Sequence, residues 1–225
     1  MISTRKTAIA VGVFFLITHV TSVVAAFVLF APVLADPAYV LRDASDAGLK
    51  LGGIMELLLA LAVVGTSVAL YPVISRFSAG FAIGYVALRT LEAGVILVGA
   101  TAMLTVATLH EAAAASSTPE SFLATSVAVQ GIYSWAFIVG PGLICPVNTV
   151  VLAVVLYRSG LVARFIPVLG FVGAPLVFGL NLAKVFGVAE QLPDWAGTGV
   201  VPLFAWEISL AVYLLVKGFR ATPSA

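Results

Sequence analysis

The sequence predicts an all-α integral membrane protein: a helical bundle of six transmembrane helices with both termini cytoplasmic. Three observations carry this. Hydrophobic residues make up 62% of the 225-residue chain and charged residues only 9%, against about 25% charged in soluble domains. Six apolar stretches are each long enough to cross a bilayer, for which about 20 residues suffice. Finally, lysine and arginine sort to alternate connections, as positive-inside topology requires.

The stretches lie near 8–35, 49–71, 80–108, 122–157, 166–187 and 200–217, and together make one transmembrane domain over 1–225. The first is too long for a 7–15-residue signal core, so it reads as a retained span despite Arg5 and Lys6 before it. The connections hold the turn-forming and charged residues: Asp36 to Asp46, Pro72 to Ser78, His110 to Glu120, Arg158 to Arg164 and Ala189 to Gly199. With six passes, Arg5, Lys6, Arg76, Arg158, Arg164, Lys217 and Arg220 share one side without an acidic residue. The other side holds Asp36, Asp43, Asp46, Glu111, Glu120, Glu190 and Asp194, with Arg42 and Lys50 as basic exceptions. The fourth stretch is overlong for a ~30 Å core. Gly140, Pro141, Gly142 and Pro146 inside it predict a bend, either in a continuous helix or at a break lining a cavity.

Function classes narrow accordingly. No basic stripe is present for nucleic acid. The lone Cys145 excludes an internal disulfide and a multi-cysteine metal cluster, and reads as a small buried side chain. Neither an HExxH pair nor a GxSxG elbow occurs. No cofactor and no metal is expected; His19 with Glu56 and Glu92 is the weak metal alternative. The expected partners are the lipid bilayer and a small molecule or ion.

The candidate site comes from cost. Glu56, Arg89, Glu92 and Glu207 lie within apolar stretches, and each charge costs about 2.5–3.5 kcal/mol on insertion scales. They are expected to converge in the interior, Arg89 and Glu92 sharing one helix face at i,i+3 and Arg89 reaching Glu56 or Glu207 as well. His19, Gln130, Asn181 and Lys184 are expected around them, mostly between the midplane and the outer face, with Asn148 nearer the inside. Three carboxylates against one guanidinium leave an imbalance that Lys184 or a retained proton would relieve. Such a site binds or transports a small solute or proton. The alternatives are an intramembrane lipid-modifying enzyme using a glutamate with His19, and a structural or regulatory subunit whose charges only fix packing. Gly48-x-x-x-Gly52 and Gly80-x-x-x-Gly84 offer close helix approach, and Trp135, Trp195 and Trp206 suit interfacial or packing sites.

Four runs carry a family likeness: Ala-Leu-Tyr-Pro-Val at 69–73, Gly-Tyr-Val-Ala-Leu-Arg-Thr-Leu-Glu at 84–92, Leu-Tyr-Arg-Ser-Gly-Leu-Val at 156–162, and Glu207 through Lys217-Gly-Phe to 219. Together they resemble a bacterial multi-pass membrane family catalogued as a domain of unknown function, over nearly the whole chain. The resemblance implies the fold and an inner-membrane location, and places Glu56, Arg89, Glu92, Glu207 and Arg158 on family-pattern positions. It implies no activity. Ala163 departs from the pattern, where the family often has proline before the basic residue.

Overall fold

Apolar side chains dominate every long segment, and hydrocarbon offers no partner for backbone polar groups, so the segments close their own hydrogen bonds as helices. The computed structural model describes residues 4–189 and 194–220. Helix α1 (Thr4–Val24) continues through a π-helical turn at Ala25–Leu29, followed by the short α2 (Ala31–Leu34). Then come α3 (Ala47–Ile74), α4 (Ala79–Ala114), α5 (Leu123–Phe137), α6 (Cys145–Ser159), α7 (Phe165–Val185) and α8 (Val200–Val216). Among the described residues, six spans are long and apolar enough to cross a membrane, α5 and α6 together forming the fourth.

The spans close into a ring in chain order. α1 packs on α3, α3 on α4, α4 on α5 and α6, α6 on α7, α7 on α8, and α8 back on α1. Bulky apolar residues such as Leu61 and Val68 on α3, or Val168 and Val172 on α7, stay exposed on the outside, as a lipid-facing belt requires. Inward, Phe15, Leu70, Tyr85, Leu156, Trp206 and Leu210 are buried in a cluster toward the end where Arg5 and Arg220 lie. That end is tied by hydrogen bonds. The Arg5 guanidinium donates to the Leu214 and Leu215 carbonyls, capping α8, and the Arg220 N–H donates to the Leu161 carbonyl.

The fourth span stays helical throughout, with an irregular centre rather than a break. Between α5 and α6, residues Ile138–Ile144 form a π-helical segment containing Pro141. Proline supplies no N–H and crowds the preceding turn, and flanking glycines at 140 and 142 let neighbours close in. A Cβ at Gly142 would strike the Asn181 side chain.

At the opposite end the structure corrects the expected boundary of α4. The helix does not stop before His110 but runs to Ala114, and His110 is buried in its last turns rather than lying in a loop. There it anchors the 36–46 connection. His110 Nε2 donates to the Arg42 carbonyl at 2.7 Å, and Nδ1 meets Asp46 Oδ2 at 2.9 Å. Tyr39 donates to Asp46 Oδ1 at 3.4 Å; burial, then the Asp46 carboxylate, raises its hydroxyl pKa above the ordinary value. Lys50 and Glu111 pair beside it, in solvent.

Asp46→Ala removes the acceptor shared by His110 and Tyr39. It should speed amide exchange over residues 39–42 and lower stability by about 1–3 kcal/mol. Unchanged exchange in hydrogen–deuterium mass spectrometry would show that Asp46 does not hold this connection.

The glycine pairs behave unequally. Gly52 receives the Phe30 ring and Gly48 lies near the Leu29 carbonyl, whereas Gly84 faces open space and Gly80 meets only its own Ser78. Trp206 is buried and Trp135 is half exposed on α5. Glu190 and Trp195 lie outside the residues whose side chains are described.

Candidate functional site

Inside the ring lies a cavity of about 320 Å³, at the low end of small-ligand sites. Its walls are mainly apolar, with Phe27, Phe137 and Phe204 among them. Polar groups occupy three levels.

The floor is an ion pair on α4. Arg89 and Glu92 are three residues apart, so both point into the bundle, where they are 2% and 3% exposed. Arg89 Nη1 donates to Glu92 Oε2 at 2.9 Å. The remaining bonds come from neighbouring spans. Arg89 Nε and Nη2 both donate to Thr66 Oγ1 on α3, at 3.2 and 3.1 Å. Asn148 on α6 donates its amide to Glu92 Oε2 at 2.6 Å. The guanidinium also lies 5.7 Å from the Phe15 ring centre and 6.0 Å from that of Tyr85, within cation–π range. One pair of opposite charges therefore ties α3, α4 and α6 together, with α1 supplying an aromatic lid.

The wall carries His19 on α1 and Glu207 on α8, 3.4 Å apart between Nε2 and Oε2. His19 Nδ1 lies 2.9 Å from the Phe15 carbonyl, which can only accept, so Nδ1 carries hydrogen. A neutral ring then presents Nε2 as an acceptor toward a carboxyl oxygen. The contact is attractive only when one proton sits on the ring or on the carboxyl. Phe204 meets the imidazole edge-on, with ring centres 4.9 Å apart, and fixes its plane.

The mouth is formed where Lys184 and Gly197 are exposed. Asn181, one turn inside Lys184, is held by its bond to the Val177 carbonyl at 2.9 Å.

These positions sort the expected residues. Arg89, Glu92, Glu207, His19, Asn181 and Lys184 line one cavity. Glu56 and Gln130 do not. Glu56 is buried beside Tyr133 of α5. The Tyr133 hydroxyl, the one buried side-chain polar atom among the described residues without a formed hydrogen bond, faces it. Gln130 is occupied by Ser126 at 3.3 Å.

The expected Arg89 contact with Glu56 or Glu207 is not made; Thr66 takes its place, and Glu207 pairs with His19 instead. Thr66 was not anticipated, although it lies on the same buried face of α3 as Val63 and Leu70. Asn148 is not set apart toward the inside but sits at the level of Glu92. No group of three or more metal-binding side chains occurs among the described residues, so His19, Glu56 and Glu92 do not converge.

Six long apolar helical spans among the described residues fit a multi-pass helical membrane protein. Residues 10–218 match the model of the DUF4386 family, a domain of unknown function, and the chain belongs to that family. No curated protein and no solved structure matches it.

Proposed function

We propose that the protein binds a small solute in this cavity, as the first step of moving it, and that it resides in the bacterial cytoplasmic membrane with both termini inside. The observation that carries this reading is the cavity itself. A charge cluster serving only to fix packing would be enclosed by side chains, whereas here Arg89, Glu92, His19 and Glu207 all border open volume that reaches exposed residues at one end. The location rests on the sorting of basic residues to the end that holds both termini. The mouth then opens on the outer face.

A packing role is favoured for one part. The Arg89 bonds to Glu92 and Thr66, with the Asn148 bond to Glu92, already join three spans, so the floor acts as a fixed polar joint while the wall and mouth remain available to a ligand.

The test uses Asn181→Cys in a Cys145→Ala background. A small, membrane-impermeant thiol reagent applied to intact cells should label position 181 from outside, and a cavity-filling Leu203→Trp should protect it. Absence of labelling in protein shown to be folded would refute an accessible cavity; labelling only in inverted vesicles would reverse the orientation.

A further inference from the structure

We infer that His19 and Glu207 form a proton-binding pair, and that the cavity ligand is a small organic monocation bearing N–H donors which replaces that proton. This deepens the reading above and rests on it.

Two acceptors face each other across 3.4 Å, His19 Nε2 and Glu207 Oε2, in the wall of a largely apolar cavity. With Nδ1 committed to the Phe15 carbonyl, the ring cannot turn its N–H to Glu207 without abandoning that part-buried bond. Something must donate between the two. In the empty cavity that donor is a proton, and the pair is then neutral overall: an imidazolium beside a carboxylate, or an imidazole beside a carboxyl. Loss of the proton leaves one net negative charge in an interior that tolerates little uncompensated charge.

A primary ammonium restores both requirements at once. Its N–H groups donate to Oε2 and Nε2, and its single positive charge substitutes for that of the proton, which leaves to solvent. The exchange conserves charge in the site, one cation entering for one proton released. A neutral donor would leave the net negative charge, and an anion would add to it.

The surroundings agree with this choice. On α3 the cavity-lining residues Leu59 and Val63 are apolar. On α4, Arg89 and Glu92 are bonded to each other, with Tyr85 behind them, and α6 presents Cys145. Glu207 lies within electrostatic reach of these four. On α7, Lys184 stands exposed at the mouth, where water screens it. The aromatic rings of Phe27, Phe137 and Phe204 suit the apolar body and favour a cation over their faces. The volume limits that body to a compact one, of the size of a single ring on a short linker.

The experiment uses full-length protein in nanodiscs, with phenethylammonium as probe and phenethyl alcohol as neutral control. Phenethylammonium should stabilise the protein against heat, and its apparent affinity should rise by up to about tenfold per pH unit across the range in which the pair loses its proton. In weakly buffered solution about one proton should appear per probe bound. Phenethyl alcohol should do neither.

In Glu207→Gln the amide donates to His19 Nε2 permanently, so proton release should vanish and probe affinity fall at least about tenfold. Nitrogen-15 spectra of histidine-labelled wild-type protein give a second readout, needing no variant to fold. Nδ1 should stay protonated while Nε2 responds to both pH and probe. Probe binding without proton release, or an Nε2 signal indifferent to pH and probe, would overturn the assignment. Labelled Asn181→Cys with no probe effect would sink this inference alone; an unlabelled cavity would sink the solute-binding reading too.

Discussion

Arg89→Ala is expected to be the most damaging single substitution of a charged residue, lowering stability by about 3–5 kcal/mol. The side chain is 2% exposed and its removal strands three partners. Glu92 loses its counter-charge, Thr66 loses both donors it accepts from, and the space over the Phe15 ring empties. Taking up a proton relieves the charge on Glu92 but leaves the cavity. Thermal unfolding in nanodiscs should fall by on the order of 10 °C, taking roughly 2–4 °C per kcal/mol for a chain of this size.

Arg89→Met combined with Glu92→Leu removes both charges together and should recover most of the loss, because the greater part of it is the penalty of an unpaired buried ion. The two singles and the double form a cycle whose interaction energy measures the pair. Arg89→Ala within about 1 kcal/mol of wild type would mean the floor is not a joint at all. Against this, Glu207→Gln should leave folding nearly intact, since Glu207 is less buried and its substitute still donates to His19.

Much of this arrangement can be read from the chain, and the part that cannot has a physical reason. Length and hydropathy dictate six spans, because the bilayer admits few other solutions. The i,i+3 spacing of Arg89 and Glu92 dictates that they share a face. Which other groups they meet depends on the axial register between helices, and the sequence does not encode that register locally.

Thr66 meets Arg89 in the folded chain. Glu56 lies ten residues before Thr66, about 15 Å along the same helix at 1.5 Å per residue. That distance puts it beyond the reach of the guanidinium and opposite Tyr133 instead. The position of His110 departs from the sequence expectation for a different reason. A histidine followed by a glutamate near the end of an apolar stretch has the composition of a loop, yet the burial of His110 against Asp46 extends the helix past it. The irregularity in the fourth span is legible as Gly-Pro-Gly, but the sequence leaves open whether the helix bends or breaks, and its continuous π-helical form is not legible.

The glycines that matter most sit where a GxxxG search does not look. On α7, Gly170 and Gly173 are three apart and face α8. A Cβ at Gly170 would press on the Trp206 ring, and one at Gly173 would fall on the backbone of Leu203. A side chain can rotate away from an added methyl; a helix backbone cannot. Gly173→Ala should therefore cost about 3 kcal/mol, the upper end for small-to-large changes in packed interiors, even though alanine is the better helix former.

Gly179→Ala on the same helix is the control. A Cβ there meets open space, so the substitution should be neutral or stabilise by up to about 1 kcal/mol. Equal thermal stability of the two variants would show that α7 and α8 do not approach so closely. The effect should also reach the site. Glu207 is one turn beyond Leu203 on α8, so moving α8 away from α7 shifts the carboxyl relative to His19 on α1. In Gly173→Ala the His19 Nε2 signal should lose its response to Glu207→Gln, while Gly179→Ala keeps it. The separation of two acceptors in the cavity wall is thus set by a glycine on a third helix, which contacts neither of them.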